Sequence, residues 1–327
     1  MHTKFSTDLP DIADIHLARA RISDQTRITP VLNDPGLDKK LGCRLFCKCE
    51  NLQRTGSFKF RGASNAVLRL REECIEGDVA THSSGNHGAA LALAAKLDGR
   101  QAHIVMPGDS MPMKIDSVRR YGGTVHFCDP THESREQELD KLLGEGVIPI
   151  HPYDHPDIIA GQGTAALELL QNEPTLELII TPLGGGGLVS GTAIAAESPG
   201  VQVFAVEPEG AADTVASLQQ GRRVESWQPD TIADGLRALV GVRNFAVINT
   251  DVRQVFTVTD PDICRAMSLF WLATRMTIEP SSATVIAAIL NHPEVFLGRK
   301  VGAIISGGNI DPTSWVTLTE QFREVDV

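Results

Sequence analysis

Residues 78–107 read "DVATHSSGNHGAALALAAKLDGRQAHIVMP". A short apolar run, "DVATHS", passes through a Ser/Gly/Asn turn into the alanine- and leucine-rich helix "HGAALALAAKLDG" and then into a second apolar run, "QAHIVMP". Strand, helix and strand in this order form the unit of a parallel sheet. The pattern continues in both directions. The helical segment "MKIDSVRRYGG" leads to "TVHFCD", and "ESREQELDKLLGEG" leads to "VIPIHPY". Further on, "LELIITPL" precedes a glycine loop and the helix "LVSGTAIAAE", and "VQVFAVEP" and "VGAIIS" read as more buried strands. Apolar strands alternating with helices imply an α/β chain whose parallel sheets are covered on both faces. Sites in such sheets lie at the carboxyl ends of the strands. No Ser/Gly linker, low-complexity stretch or repeat marks a boundary. The units from 78 to 152 are expected to form a small, mobile domain inserted into a larger one built from 1–77 and 153–327.

Composition narrows the function. The 327 residues are 42% hydrophobic and carry a net charge of -11. That supports a large core and argues against nucleic acid or anionic membrane as partners. No stretch approaches a membrane-spanning length. The N-terminal segment "MHTKFSTDLPDIADIHLARARI" carries acids early and lacks an apolar signal core, so a cytoplasmic location is the default expectation. Six cysteines are present, and "CRLFCKCE" (43–50) holds three of them. Without a Cys-x-x-Cys pair or a second cluster, Cys47 and Cys49 read as small hydrophobes on one face of a strand.

Three strand-end loops carry polar chemistry. In "PLGGGGLVSG", Gly184, Gly185, Gly186 and Gly187 expose backbone N–H groups ahead of a helix N-terminus, which makes a phosphate cradle. The loop lacks the Lys-Ser/Thr of a nucleotide P-loop and the spacing of a dinucleotide fingerprint. In "THSSGNHGAA", Ser83, Ser84, Asn86 and His87 surround Gly85 at another helix start. One N-cap is needed there, but four polar residues suit a second anion such as a substrate carboxylate. In "IISGGNID", Ser306 either caps a turn or offers a neutral hydroxyl to a heteroatom. Upstream, "TGSFKFRG" (55–62) places Lys59 between Phe58 and Phe60. An amphipathic strand with a solvated lysine is one reading. The other is a desolvated amine held as a nucleophile. A phosphate cradle, a hydroxyl for a ring atom and an amine for an electrophile together ask for pyridoxal 5'-phosphate, with Lys59 as its Schiff-base lysine and the phenylalanines desolvating it.

The motifs "TGSFKFRGA", "SSGNHG", "AGQGT", "PLGGGGL", "TIADG" and "ISGGN" occur in the order seen in fold type II pyridoxal-phosphate enzymes. The chain resembles the serine racemase and serine/threonine dehydratase group over nearly its whole length. The resemblance implies two parallel-sheet-based domains of tryptophan synthase β-subunit-like architecture, and a homodimer is the expected assembly. It implies that Phe58 packs beside the cofactor, Asn86 bonds the ring hydroxyl, Gly184 to Gly187 hold the phosphate, Ser306 faces the pyridine nitrogen and Gly235 lies near the cofactor. Ser84 stands where racemases place their second acid/base and plain threonine dehydratases carry alanine. "AVEPEGAAD" resembles the racemase group's divalent-cation loop. There Glu207, Asp213 and the Ala211 carbonyl would offer hard oxygens to Mg²⁺, Ca²⁺ or Mn²⁺; a solvated acidic loop is the alternative. Arg135 in "ESRE" stands where the group has an arginine near the substrate. Ala238 in "GLRALVG" replaces a serine that contacts substrate in mammalian-type serine racemases, which counts against serine as the preferred substrate.

The implied activity is conversion of L-serine or L-threonine to a 2-oxo acid and ammonia, with serine racemisation at the same site. A threo-3-hydroxyaspartate ammonia-lyase is a rival within the class. A catalytically silent cofactor-binding protein is a rival outside it.

Overall fold

The computed structural model describes residues 9–83, 85–197 and 199–322. Among the described residues ten strands form two sheets. β1 (Val31–Leu32), β2 (Arg44–Cys49), β7 (Leu178–Pro182), β8 (Gln202–Pro208), β9 (Gln254–Val258) and β10 (Lys300–Ile305) make the larger one, in the order β1-β2-β10-β7-β8-β9. All its pairings are parallel except that of β1 with β2 at the edge. β3 (Val79–His82), β4 (Ala102–Pro107), β5 (Thr124–Cys128) and β6 (Ile148–Pro149) make the smaller sheet, all parallel, in the order β5-β4-β3-β6. Helices cover both sheets, so the central strands have lost alternation: every residue of β7 is buried. Cys43, Cys47 and Cys49 lie in the core of the larger sheet, where burial pushes their thiols up. Among the described residues no helix is long and apolar enough to cross a membrane.

Two helix crossings align the site. Helix Pro156–Asn172 runs between helix Lys59–Glu72 and helix Gly187–Glu197. A methyl on Gly161 would come within 2.7 Å of the Gly62 Cα, and one on Gly163 within 2.7 Å of the Gly191 carbonyl. The glycines of "AGQGT" therefore let three helix backbones touch, and this fixes the start of the Lys59 helix relative to the glycine loop.

Behind the Lys59 helix lies a buried cluster of four charges. Arg61 donates from Nε and a terminal nitrogen to Glu50 (2.7 and 2.8 Å) and from both terminal nitrogens to Glu168 (2.7 and 2.8 Å). Lys48 adds a 2.6 Å bond to Glu168 and a 2.7 Å bond to the Thr29 carbonyl. Two cations and two carboxylates cancel, which is what permits their burial. The cluster joins β2, the turn after it, and the helices that begin at Lys59 and Pro156.

Candidate active site

The carboxyl ends of β3, β7 and β10 gather around Lys59. Thr55 and Gly56 take left-handed backbone conformations (φ 61° and 78°), reversing the chain just ahead of it. Ser57 bridges to Gly307, and the Phe58 N–H donates to the Ser306 carbonyl at 3.0 Å. The helix then starts at Lys59 itself. Lys59 is therefore not in an extended segment, and the two phenylalanines part company. Phe60 is buried against the small-sheet helices. Phe58 stays beside the amine, with Nζ 5.1 Å from its ring centroid.

On the other side Nζ lies 5.9 Å from the Tyr153 ring and donates to the Pro152 carbonyl at 2.9 Å. Burial lowers the amine to about 8, against a smaller opposing pull from Glu279. An appreciable fraction is thus neutral near physiological pH, as a nucleophile requires.

The glycine loop closes under Tyr153. A methyl on Gly185 would meet the Tyr153 ring at 2.3 Å, and one on Gly187 the Gln162 Oε1 at 2.6 Å. Gly186 has a φ of 93°. Asn244 donates to the Gly185 and Tyr153 carbonyls (2.7 and 3.2 Å), tying the two segments together. Both polar atoms of the Gln162 side chain are buried without a hydrogen-bond partner. A bare cradle of N–H groups beside unspent amide atoms fits a phosphate. Gly235 donates its N–H to Ser281 Oγ at 3.1 Å, and Gly184 packs against the Gly235–Leu236 backbone. Beside Gly235, Asp234 forms an ion pair with Lys114 on the small-sheet helix Pro112–Arg120.

Asn86 is held in one orientation. Its Nδ2 donates to both oxygens of Glu279 (2.9 and 3.2 Å), and its Oδ1 accepts from Asn309 Nδ2 at 2.7 Å. Burial, reinforced by Asp234, pushes the Glu279 carboxyl up to about 8. Ser306 Oγ lies 3.0 Å from Ser282 Oγ, so its side-chain partner is a neutral hydroxyl. Ser83 is the N-cap-like acceptor at the head of helix Asn86–Asp98, taking the Gly85 and Gly88 N–H groups (3.3 and 3.2 Å). His87 is buried, and burial, with Lys59 next in weight, pushes its imidazole well below the ordinary value. Burial likewise lowers His151 to about 3. Both rings are neutral near pH 7.

Ser84 is outside the described residues. Arg135 stands on helix His132–Gly144, where its charge acts on Cys128 rather than on Lys59. Glu207, near the end of β8, and Asp213, the first residue of helix Asp213–Gln220, are both buried. Glu207 accepts the Thr214 and Val215 N–H groups at 3.0 Å each, and Asp213 accepts the Val240 N–H at 2.9 Å. Burial raises both carboxyls, Glu207 to about 8 with Asp213 adding to the rise, and Asp213 to about 6. Ala211, between them, is also buried. Two buried carboxylates that repel each other are an oxygen donor set in want of a cation, so the residues fit one.

A family model described as "Pyridoxal-phosphate dependent enzyme" matches residues 22–307. The chain belongs to the pyridoxal-phosphate-dependent enzymes. Serine racemase from Dictyostelium discoideum is 46% identical over 310 residues, covering 93% of this chain and 96% of that protein. A beta-hydroxyaspartate dehydratase from Paracoccus denitrificans is 41% identical over 306 residues, covering 93% and 97%. The structure of maize serine racemase superposes with a TM-score of 0.91 at 40% identity, covering 96% of this chain and 98% of the other. The cofactor is therefore pyridoxal phosphate, the architecture is fold type II, and the chemistry is that of the ammonia-lyase and racemase members.

Tyr153, Glu279, Asn309, Ser282 and Gln162 join the site without having been singled out in the sequence. Their signals were present but quiet: "HPYD", "IEPSS" and "GGNID" each put polar residues next to a proline or glycine at a strand or helix end.

Proposed function

We propose that this protein is an ammonia-lyase and racemase for small β-hydroxy amino acids, with Lys59 as the cofactor-bearing and proton-accepting residue. The observation that carries the reading is the Lys59 amine itself, lowered to about 8 by burial and set between the Phe58 and Tyr153 rings above the glycine loop. Pyridoxal phosphate, when bound, supplies the electron sink that makes an α-proton acidic. Gly184 to Gly187 receive its phosphate, and Phe58 and Tyr153 keep water from the amine. Asn86, locked by Glu279 and Asn309, presents its amide to the ring hydroxyl, and Ser306 offers the ring nitrogen a hydroxyl rather than a charge. Gly235 closes the cofactor's edge.

The Ser83–His87 loop holds the substrate carboxylate on its N–H and hydroxyl groups. Lys59 takes the α-proton, the β-hydroxyl leaves as water, and a second water hydrolyses the released enamine to a 2-oxo acid and ammonia. Ser84 delivers a proton to the opposite face, which inverts the enantiomer. The buried Glu207–Asp213 pair, with the Ala211 carbonyl, binds Mg²⁺, Ca²⁺ or Mn²⁺ as a structural or activating ion. In this reading the unit 78–152 moves against 1–77 with 153–327, and the enzyme works as a dimer.

Serine and threonine are the first substrates in this reading. A second reading, threo-3-hydroxyaspartate, is favoured by a Pseudomonas relative named L-threo-3-hydroxyaspartate ammonia-lyase, 43% identical over 310 residues, and by Arg135, whose Nε is buried without a hydrogen-bond partner and could meet a second carboxylate as the small unit closes. A panel of L- and D-serine, L-threonine and the hydroxyaspartate isomers, assayed for oxo acid and for enantiomer, separates the two. Borohydride reduction and peptide mapping in parallel should find the pyridoxyl group on Lys59. Label on another lysine sinks the site assignment. Absence of oxo acid and of inversion across the panel sinks the activity.

A further inference from the structure

At the β5 edge of the small sheet two histidines stand together. Val105 on β4 is paired in register with His126 on β5, and His103 lies two residues before Val105, so both imidazoles leave the same face. His103 Nδ1 and His126 Nε2 are 3.0 Å apart, with ring centroids 5.1 Å apart and planes inclined by 45°. Behind His103, Asp78 Oδ2 lies 3.6 Å from Nε2, and the Gln101 N–H fixes the other carboxylate oxygen at 3.0 Å. The carboxylate favours a proton on His103 Nε2, which turns the lone pair on Nδ1 toward His126. Helix His132–Gly144 packs over this face of the sheet, and Glu138 and Glu145 exert their negative charge on His126. The His103 side chain is 20% exposed and His126 is half-buried, so small ions can reach both. Nothing in the lyase and racemase chemistry uses this pair.

We propose that His103 Nδ1 and His126 Nε2 form a two-nitrogen site for a late first-row divalent ion such as Ni²⁺, Cu²⁺ or Zn²⁺, with water completing the coordination. Two nitrogens each about 2.0–2.1 Å from one ion lie roughly 2.9–3.4 Å apart for angles between a right angle and the tetrahedral value, and the observed separation falls in that interval. Imidazole suits these ions, whereas Mg²⁺ and Ca²⁺ prefer oxygen. A carboxylate behind the ligating ring is the usual outer partner of a metal-bound histidine, and it raises the ring's basicity. The ion takes the place of the hydrogen that now joins the two rings: the His126 proton moves from Nε2 to Nδ1, so both imidazoles stay neutral ligands and no net proton is released. Burial and the neighbouring His103 hold His126 below its ordinary value, which keeps its lone pair available near pH 7. Among the described residues no group of three or more His, Cys, Asp or Glu side chains is placed to hold a metal. The site is therefore an open, exchangeable one rather than a closed structural centre.

Calorimetric titration of Ni²⁺ into the pyridoxal-phosphate-loaded protein, in saturating Mg²⁺, tests the site. One binding event is expected. His103→Asn and His126→Asn should each weaken it at least tenfold while leaving turnover without Ni²⁺ unchanged. Cys128→Ser, two residues along β5, should leave Ni²⁺ binding as it is. With one equivalent of Cu²⁺, the electron paramagnetic resonance spectrum of the unsubstituted protein should show nitrogen coupling, a readout independent of how any variant folds. Ni²⁺ affinity that is the same in both histidine variants, or a Cu²⁺ spectrum of oxygen ligands alone, overturns the proposal.

Discussion

Replacing Arg61 with methionine should cost about 3–5 kcal/mol of folding stability, the range for removing one partner from a buried ionic group. Arg61 makes four charge-assisted bonds to Glu50 and Glu168, and its side chain is wholly buried. Two cations and two carboxylates become one cation, Lys48, and two carboxylates, so one buried negative charge is left uncompensated. At roughly 2–4 °C per kcal/mol, melting should fall by about 6–20 °C. The loss should also depend on pH. Burial alone would raise the Glu168 carboxyl, but Arg61 and Lys48 hold it below its ordinary value. A carboxyl held low contributes stability that is present above its unfolded value, near 4.5, and is lost as pH falls through its folded value. Without Arg61 burial dominates and the Glu168 carboxyl rises, so the variant gains relative stability as pH falls. The gap between the two proteins should therefore narrow from pH 8 to pH 5. Urea unfolding of both proteins at the two pH values measures it. A gap below 1 kcal/mol, or one that holds or widens toward pH 5, would refute this account of the cluster. Replacing all four charged residues with apolar ones of similar volume should recover much of the loss.

Gly185→Ala should weaken pyridoxal phosphate binding at least tenfold, because the added methyl would come within 2.3 Å of the Tyr153 ring; an unchanged affinity in a fluorescence titration would show that the ring moves freely. Ser84→Ala should abolish inversion of enantiomers while leaving elimination of the L-substrate within about tenfold, roughly 1.4 kcal/mol; inversion at the original rate, followed by solvent deuterium exchange at the α-carbon, would remove Ser84 from the mechanism. In metal-free protein Glu207 and Asp213 titrate above their unfolded values, at about 8 and about 6, so their neutral forms favour the fold and stability is lost as pH rises through that interval. Mg²⁺ should then raise the melting temperature more at pH 8 than at pH 5.5, and equal shifts at the two pH values would count against a cation at this pair.

Much of this was legible in the chain, and the parts that were not share a cause. Strands and loops with strong local signals, such as "LIITP" ahead of four glycines, declared their structure. Lys59 was recognisable as a desolvated amine, but its backbone was not. The left-handed turn at Thr55 and Gly56 starts a helix at a residue whose neighbours suggest a strand, and that turn is set by Asn309, whose side chain donates to the Thr55 carbonyl from 254 residues away. Glu279 and Tyr153 were silent for the same reason. A glutamate before a proline reads as a helix start, and only the fold brings it to Asn86, 193 residues distant. The Arg61 cluster is the extreme case. An arginine beside a nucleophilic lysine looks like surface charge until β2 and the helix Pro156–Asn172 close around it.

The charges divide into two populations, and the division says how the site works. Behind the Lys59 helix, Lys48, Glu50, Arg61 and Glu168 are fully paired with one another and need nothing from outside. In front of it, the titratable groups titrate close to physiological pH or are uncharged: Lys59 and Glu279 each near 8, His87 and His151 pushed low. A permanently charged site of this burial would need its own counter-ions, and these would compete with an anionic ligand. In the proposed reading, groups that titrate this close to physiological pH do not compete with the glycine loop's N–H donors for the cofactor phosphate. In that reading a phosphate and a carboxylate bound there would raise the Lys59 amine and favour its protonated form. The same residue can therefore attack as a free base and, after taking a proton, stay beside the negative charge it helped to create. The back cluster makes this possible by fixing the helix that starts at Lys59 without lending that end any net charge.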